Sequence, residues 1–313
     1  MTADHGGSDR AVDTAGSAAW GYVLVLGAAT GWATLGLFYS ALARAYQMPP
    51  QTIAFFRALF GLVALLIALG SFRRDLLRVD RRDLPLFILQ GVLGIAAFFT
   101  IYAHAIQSAG MSVAAVLMYT APVWVTLYGW RFLGEGLDGV KVVALAGTLL
   151  GAGLVAQVYD PSRLRVGMAG VLLGLGSGIC YACYSVFNKL AVRRHSPWTV
   201  LTLSFACGLP LLALTQRPAD VWRVLRIPEA VLWLVAMTVG PTLGAGLLYA
   251  AGLTYLPASV ASIVVAFEPV MASVLAFLVL GERLVPGQVV GAAAIIASIV
   301  LLGSRDWRNS RRR

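Results

Sequence analysis

Glu268 is the most costly residue in this chain to place. It lies in the run AFEPVM, beside Pro269, near the middle of an apolar stretch long enough to cross a bilayer. A carboxylate at that depth costs about 2.5–3.5 kcal/mol on insertion scales unless it is paired or wet. Such a group either lines a polar path, binding an ammonium or carrying a proton, or hydrogen-bonds the backbone that Pro269 leaves free. Arg57, in FFRALFG, is its natural counter-charge. It stands about one turn inside its own stretch, so it either snorkels to the interface or offers a cation to a carboxylate. His104 is a proton relay by chemistry, or a packed, hydrogen-bonded side chain. Tyr102, Tyr119, Tyr181, Tyr184, Tyr249 and Trp124 also fall within apolar stretches. A hydroxyl in hydrocarbon wants a partner or water, so these aromatics either line a cavity or fill a core. As a lining they would suit organic solutes with both polar and apolar parts.

The elements that must hold these residues are membrane-spanning helices. Hydrophobic residues make up 59% of the chain and charged residues 12%, half the charge of an ordinary soluble domain. Ten apolar stretches approach the ~20 residues that a helix needs to cross a bilayer: 20–42, 52–72, 84–107, 110–132, 137–157, 168–192, 198–216, 229–253, 258–280 and 284–303. The expected fold is therefore all-α and integral to the membrane. Residues 1–19 read as a disordered tail, with no basic segment feeding a short apolar core as a cleaved signal would have. Residues 304–313 read as a basic tail. The net charge of +10 does not indicate nucleic acid, because the arginines flank apolar stretches and form no single basic face. If the first residue lies in the cytoplasm, sixteen of the 24 Lys and Arg fall on that side, seven outside, and Arg57 within a span. The positive-inside rule then puts both termini in the cytoplasm. The loop with Arg217, Arg223 and Arg226 runs against the trend.

The sequence is also written twice. Residues 102–154 align with 249–301 without a gap, at a numbering offset of 147. Tyr102 meets Tyr249, Ser112-Val113-Ala114 meets Ser259-Val260-Ala261, Pro122-Val123 meets Pro269-Val270, and Leu133-Gly134-Glu135 meets Leu280-Gly281-Glu282. The halves are 20–158 and 168–303, joined by a linker at 159–167 with a turn at Asp160-Pro161. Five spans per half is an odd number, so the second half enters the membrane from the opposite side. Inverted repeats of this kind build transporters around a midplane site.

The doubled APVW…GEGL and EPVM…GERL segments resemble the paired EamA modules of the drug/metabolite transporter superfamily. The resemblance runs from about Trp20 to Gly303, and among members the ten-helix YddG-like amino-acid exporters are similar in length and layout. Arg57 looks like the family's arginine of the second span; Ser204 stands in the second half, so the halves have diverged there. The resemblance implies a ten-helix bundle in a bacterial inner membrane. Spans one to four and six to nine would line a central cavity, with five and ten outside. The implied activity is secondary export of amino acids or similar metabolites by alternating access. A multidrug or organic-cation exporter of the same fold is the alternative.

Pro122 and Pro269 fall at matching places in the fourth and ninth spans, where each should kink its helix and serve as a hinge. Gly240-Pro241 should break the eighth span, at a place matched by Leu93-Gly94 in the third. Glu135 and Glu282 follow glycines at span ends and read as favourable charges at the N-termini of the fifth and tenth helices. Cys180 and Cys183 lie in an apolar span without further ligands, so no metal site is expected. No cofactor or P-loop motif is present, and a single intramembrane histidine argues against an embedded enzyme. A small-molecule substrate and the lipid bilayer are the expected partners, with proton coupling and facilitated diffusion both open and the chain as monomer or homodimer.

Overall fold

The computed structural model describes residues 6–160 and 167–310, which contain helices and no strand. Most of the linker, including Pro161, lies outside the described residues. Among them nine helices are long and apolar enough to cross a membrane. In chain order they are Ser17–Tyr46, Pro50–Phe72, Arg81–Ala109 and Val113–Phe132, then Met168–Ala191, Pro197–Leu214, Pro228–Tyr255, Ala258–Leu280 and Pro286–Asn309. A shorter apolar helix, Gly139–Val155, is the fifth span. The protein is thus a ten-span, all-α membrane protein of two inverted five-helix repeats.

Several boundaries follow from local chemistry. Pro50, Pro197 and Pro228 sit in the first turn of their helices, where the missing N–H is not needed. Asp138 caps the fifth span by accepting from the Lys141 N–H (2.9 Å). The first helix starts at Gly6, inside the segment expected to be disordered, because its Ala-rich, proline-free sequence lets the span continue upstream. The last runs through to Ser310, inside the basic tail. A short helix unforeseen from the sequence, Pro218–Leu225, occupies the loop before the eighth span, with Val224 buried and Trp222 exposed.

Small residues set the closest helix contacts, as expected where lipid removes any hydrophobic drive between helices. A Cβ on Gly91 of the third span would stand 2.7 Å from the Gly208 N of the seventh. Gly151 and Gly291 bring the fifth and tenth spans together in the same way. Tyr22, near the start of the first span, donates to Asp306 near the end of the tenth (2.8 Å). Both chain ends therefore lie at one end of the bundle, here the terminal end; the other is the far end.

The α-helix is interrupted beside two of the three prolines. Turns at 119–120 and 266–267 split the fourth and ninth spans just before Pro122 and Pro269. Gly240-Pro241, however, does not break the eighth span. The helix stays continuous and widens into a π-helical stretch, Thr238–Gly244. The third span widens at the matching place, Gln90–Ala97, without any proline. The wide turn is therefore a property of the repeat. It is one recognised way to accommodate a residue whose N–H cannot join the α ladder.

Candidate functional site

A cavity of about 430 Å³ lies between the halves. Its walls come from spans one to four and six to nine, and none from the fifth or tenth. It runs from Trp32, Tyr184 and Glu268 in mid-span to exposed Ala43 and Arg44 at the far end.

Two charges meet in this space. Arg57 is 6% exposed; its Nε donates to Thr242 Oγ1 (3.1 Å) and its Nη1 to Tyr39 OH (3.1 Å). The guanidinium also lies 4.8 Å from the centre of the Phe99 ring, a cation–π contact. It is thus fixed by neutral neighbours and does not snorkel. The wide turn of the eighth span supplies one of them: Thr242 Oγ1 donates to the Met237 carbonyl five residues back (2.9 Å) and turns its lone pair to Arg57. Glu268 opens the second half of the ninth span and lines the same cavity. Arg57 and Tyr119 lie near enough to act on its carboxyl electrostatically. No ion pair within 4.0 Å joins Arg57 to Glu268, so each keeps capacity for a third party.

Four of the five predicted tyrosines form a ladder with Phe98. Tyr102, Phe98, Tyr181, Tyr184 and Tyr249 stack in that order, with successive centroids 5.8, 5.3, 6.2 and 6.0 Å apart and interplanar angles of 17° or less. Trp32 packs edge-on or tilted against the last three, nearest to Tyr249 (5.2 Å). Gly94 makes this possible, since a Cβ there would stand 2.9 Å from the Tyr184 Cα. Tyr102, Tyr181 and Tyr184 line the cavity. Tyr249 is fully buried behind them and donates to Ser185 Oγ (2.8 Å).

Three more expected lining residues are absent from the wall: Tyr119 is buried, and Trp124 and His104 lie elsewhere. Trp124 is 40% exposed on the outer surface of the fourth span. His104 is exposed, and its Nδ1 lies 2.7 Å from the Thr100 carbonyl of its own helix. Both belong to helices that are apolar all round, so the sequence did not reveal which face turns inward. Conversely Trp32, Phe98, Phe99, Tyr39 and Thr242 went unnoticed. For Trp32 and Tyr39 a signal lay in the repeat, since they stand 149 residues before Tyr181 and Asn188, the spacing that pairs Phe38 with Phe187. Phe98, Phe99 and Thr242 face Ala245, Gly246 and Ile95 at the offset of 147 and gave none.

Beyond the cavity floor the terminal end is shut by polar contacts. Glu135 accepts from the N–H groups of Ala258 (2.7 Å) and Ser259 (3.0 Å), and from the Ser259 hydroxyl. It therefore caps the ninth span and not, as expected, its own neighbour the fifth. Lys141 Nζ donates to Ser259 Oγ (2.9 Å) and the Gly136 carbonyl (2.7 Å). Lys189 ties the end of the eighth span, donating to the Leu253 and Leu256 carbonyls (2.6 and 2.7 Å). Arg305 joins Asp138 (2.9 Å) to Asp306 (2.6 Å). Burial pulls the Asp138 carboxyl up, but the Lys141 N–H and the Arg305 guanidinium together hold it below the usual carboxylate range.

Inverted five-helix halves around a midplane cavity, open at one end and shut at the other, define a membrane transporter. Both halves match the EamA-like transporter family, over residues 19–157 and 168–304, and the chain belongs to that family. It is 30% identical to an uncharacterized transporter of Archaeoglobus fulgidus, covering 82% of this chain and 86% of that one. It is 30% identical to the threonine/homoserine exporter RhtA of Escherichia coli K12, over 76% and 79% of the two chains. The fold matches a crystal structure with a TM-score of 0.74 at 18% identity, over 91% of this chain and 98% of that one.

Proposed function

We propose that this protein exports small amino acids across a bacterial inner membrane by alternating access. The observation that carries the reading is the pairing of Arg57 and Glu268 in one cavity walled by aromatic rings. A free amino acid carries a carboxylate and an ammonium on one carbon. Arg57 offers the bidentate donor that carboxylates prefer, Glu268 accepts from the ammonium, and the ladder takes an apolar or hydroxylated side chain. The name of the RhtA relative, a threonine/homoserine exporter, supports the same class. With both termini in the cytoplasm, the cavity described here faces outward, the state that follows release. Glu268 is also the group placed to carry a coupling proton, and facilitated diffusion needs none.

Counterflow in proteoliposomes tests this. Labelled threonine should accumulate against unlabelled threonine inside, and Glu268→Gln should abolish accumulation while the protein remains monodisperse. Failure of every amino acid in a panel, with well-folded protein, would overturn the reading. The stacked ring faces favour a second reading, export of organic cations, which bind aromatic faces. That reading predicts competition by quaternary amines and none by amino acids.

A further inference from the structure

The contact that shuts the terminal end has an open counterpart at the far end. Glu135 sits in a turn whose Gly134 has φ +69°, and its N–H bonds the Gly129 carbonyl (3.0 Å). At the offset of 147 stands Glu282, in a turn whose Gly281 has φ +67°, with its N–H on the Ala276 carbonyl (3.3 Å). The two turns share one backbone shape. Glu135 holds the first turn of the ninth span, Ala258 and Ser259. The first turn that mirrors it is Met111 and Ser112, at the start of the fourth. Yet Glu282 lines a pocket of about 460 Å³ with Ser273, Ala276 and Gln288, and among the described residues its carboxylate accepts no hydrogen bond. The same turn is occupied at one end and open at the other.

We propose that Glu135 and Glu282 are alternating latches of the two gates, an inference that rests on the alternating-access part of the reading above and not on the substrate. With the terminal end shut, Glu135 caps the ninth span. When that end opens, the cap is released and Glu282 takes the first-turn N–H groups of Met111 and Ser112, which an α-helix leaves without internal partners. The mid-span turns before Pro122 and Pro269 let the first half of each span swing while the second half stays with its latch turn. The path that opens is marked one turn below the ladder. Gln90 and Asn188 are buried there, and the Gln90 amide and the Asn188 Oδ1 have no partner among the described residues. Water reaching them would remove that cost.

The latches are unequal. A Cβ on Gly129 would stand 2.7 Å from the Glu135 carboxylate, and its mate Ala276 carries that Cβ. Lys141 strengthens the first latch through Ser259. Its mate Gln288 is neutral and is tied to Val155 and Val285. The terminal end is therefore the one shut at rest.

Spin-label distances in nanodiscs test this without any substrate. In a background lacking Cys180, Cys183 and Cys207, one label pair sits on Leu137 and Tyr255 at the terminal end. A second sits on their mates Leu284 and Ser108 at the far end. Glu135→Gln should lengthen the first distance and shorten the second, changing the population ratio by about tenfold, the scale of one charge-assisted bond. Ser259→Ala should move both distances the same way by less, and serves if the first variant does not fold. Adding Glu282→Gln to Glu135→Gln should lose the short far-end distance. Unchanged distances in both Glu135→Gln and Ser259→Ala, or a far end that still closes without Glu282, would overturn the proposal. Distances that respond in a protein that moves no amino acid would keep the latches and sink the substrate.

Discussion

Arg57 holds its place through shape as well as charge. Its guanidinium bridges Thr242 and Tyr39 and lies over Phe99, three contacts that a lysine ammonium cannot make together. Arg57→Lys should therefore lower transport at least tenfold with little loss of folded protein, read as counterflow rate against protein incorporated. His104→Ala and Trp124→Ala should each change that rate less than twofold, since neither side chain lines the cavity. The contrast shows what was legible. Arg57 and Glu268 announce themselves because charge in hydrocarbon is costly wherever the helix turns. An aromatic on a helix apolar all round gives no such signal, so Phe98 and Trp32 were missed although the other four rings of the ladder were named. Glu135 was misread for another reason: its partners lie 123 and 124 residues away, and only the assembled bundle brings them within reach.

At the scale of the element, the third and sixth spans approach through Gly94. Gly94→Ala would press a methyl against the Tyr184 backbone and should cost about 1–3 kcal/mol through overpacking, seen as a lower melting temperature in detergent. The cap on the fifth span gives a pH signature. The Asp138 carboxyl is held below its usual range, so its contribution is complete above the unfolded pKa of about 3.9 and is lost as pH falls through the lower folded value. Asp138→Asn should lower the melting temperature at neutral pH, and the gap from the native protein should close as the pH falls below about 4. The breaks beside Pro122 and Pro269 were readable, because a proline in mid-helix removes a backbone hydrogen bond and crowds the preceding turn; at Pro241 the same strain is taken up by a wide turn. The wide turn of the third span was not readable, because Gln90–Ala97 contains no proline and its two glycines weaken any helix without specifying a wide turn.

For the molecule as a whole, the doubled sequence made the architecture legible before any contact was known, and it left open which end is shut. The reading of an outward-facing cavity with cytoplasmic termini has a direct check. Ser40→Cys, on the cavity wall toward the far end, should react in intact cells with a thiol reagent that cannot cross the membrane, in a background lacking the native cysteines. Protection there, with labelling only in inverted vesicles, would reverse the orientation. The paired wide turns at Gln90–Ala97 and Thr238–Gly244 carry a consequence of another kind. A residue inserted independently into two helices would have no reason to land at corresponding positions. One insertion in a five-helix ancestor, copied when its gene doubled, accounts for both. That ancestor would have assembled from two copies facing opposite ways, so a single polypeptide must have entered the membrane in either direction. The asymmetry of Arg57 and Glu268, facing Ser204 and Ala121 in their opposite halves, became heritable only once the two copies were joined.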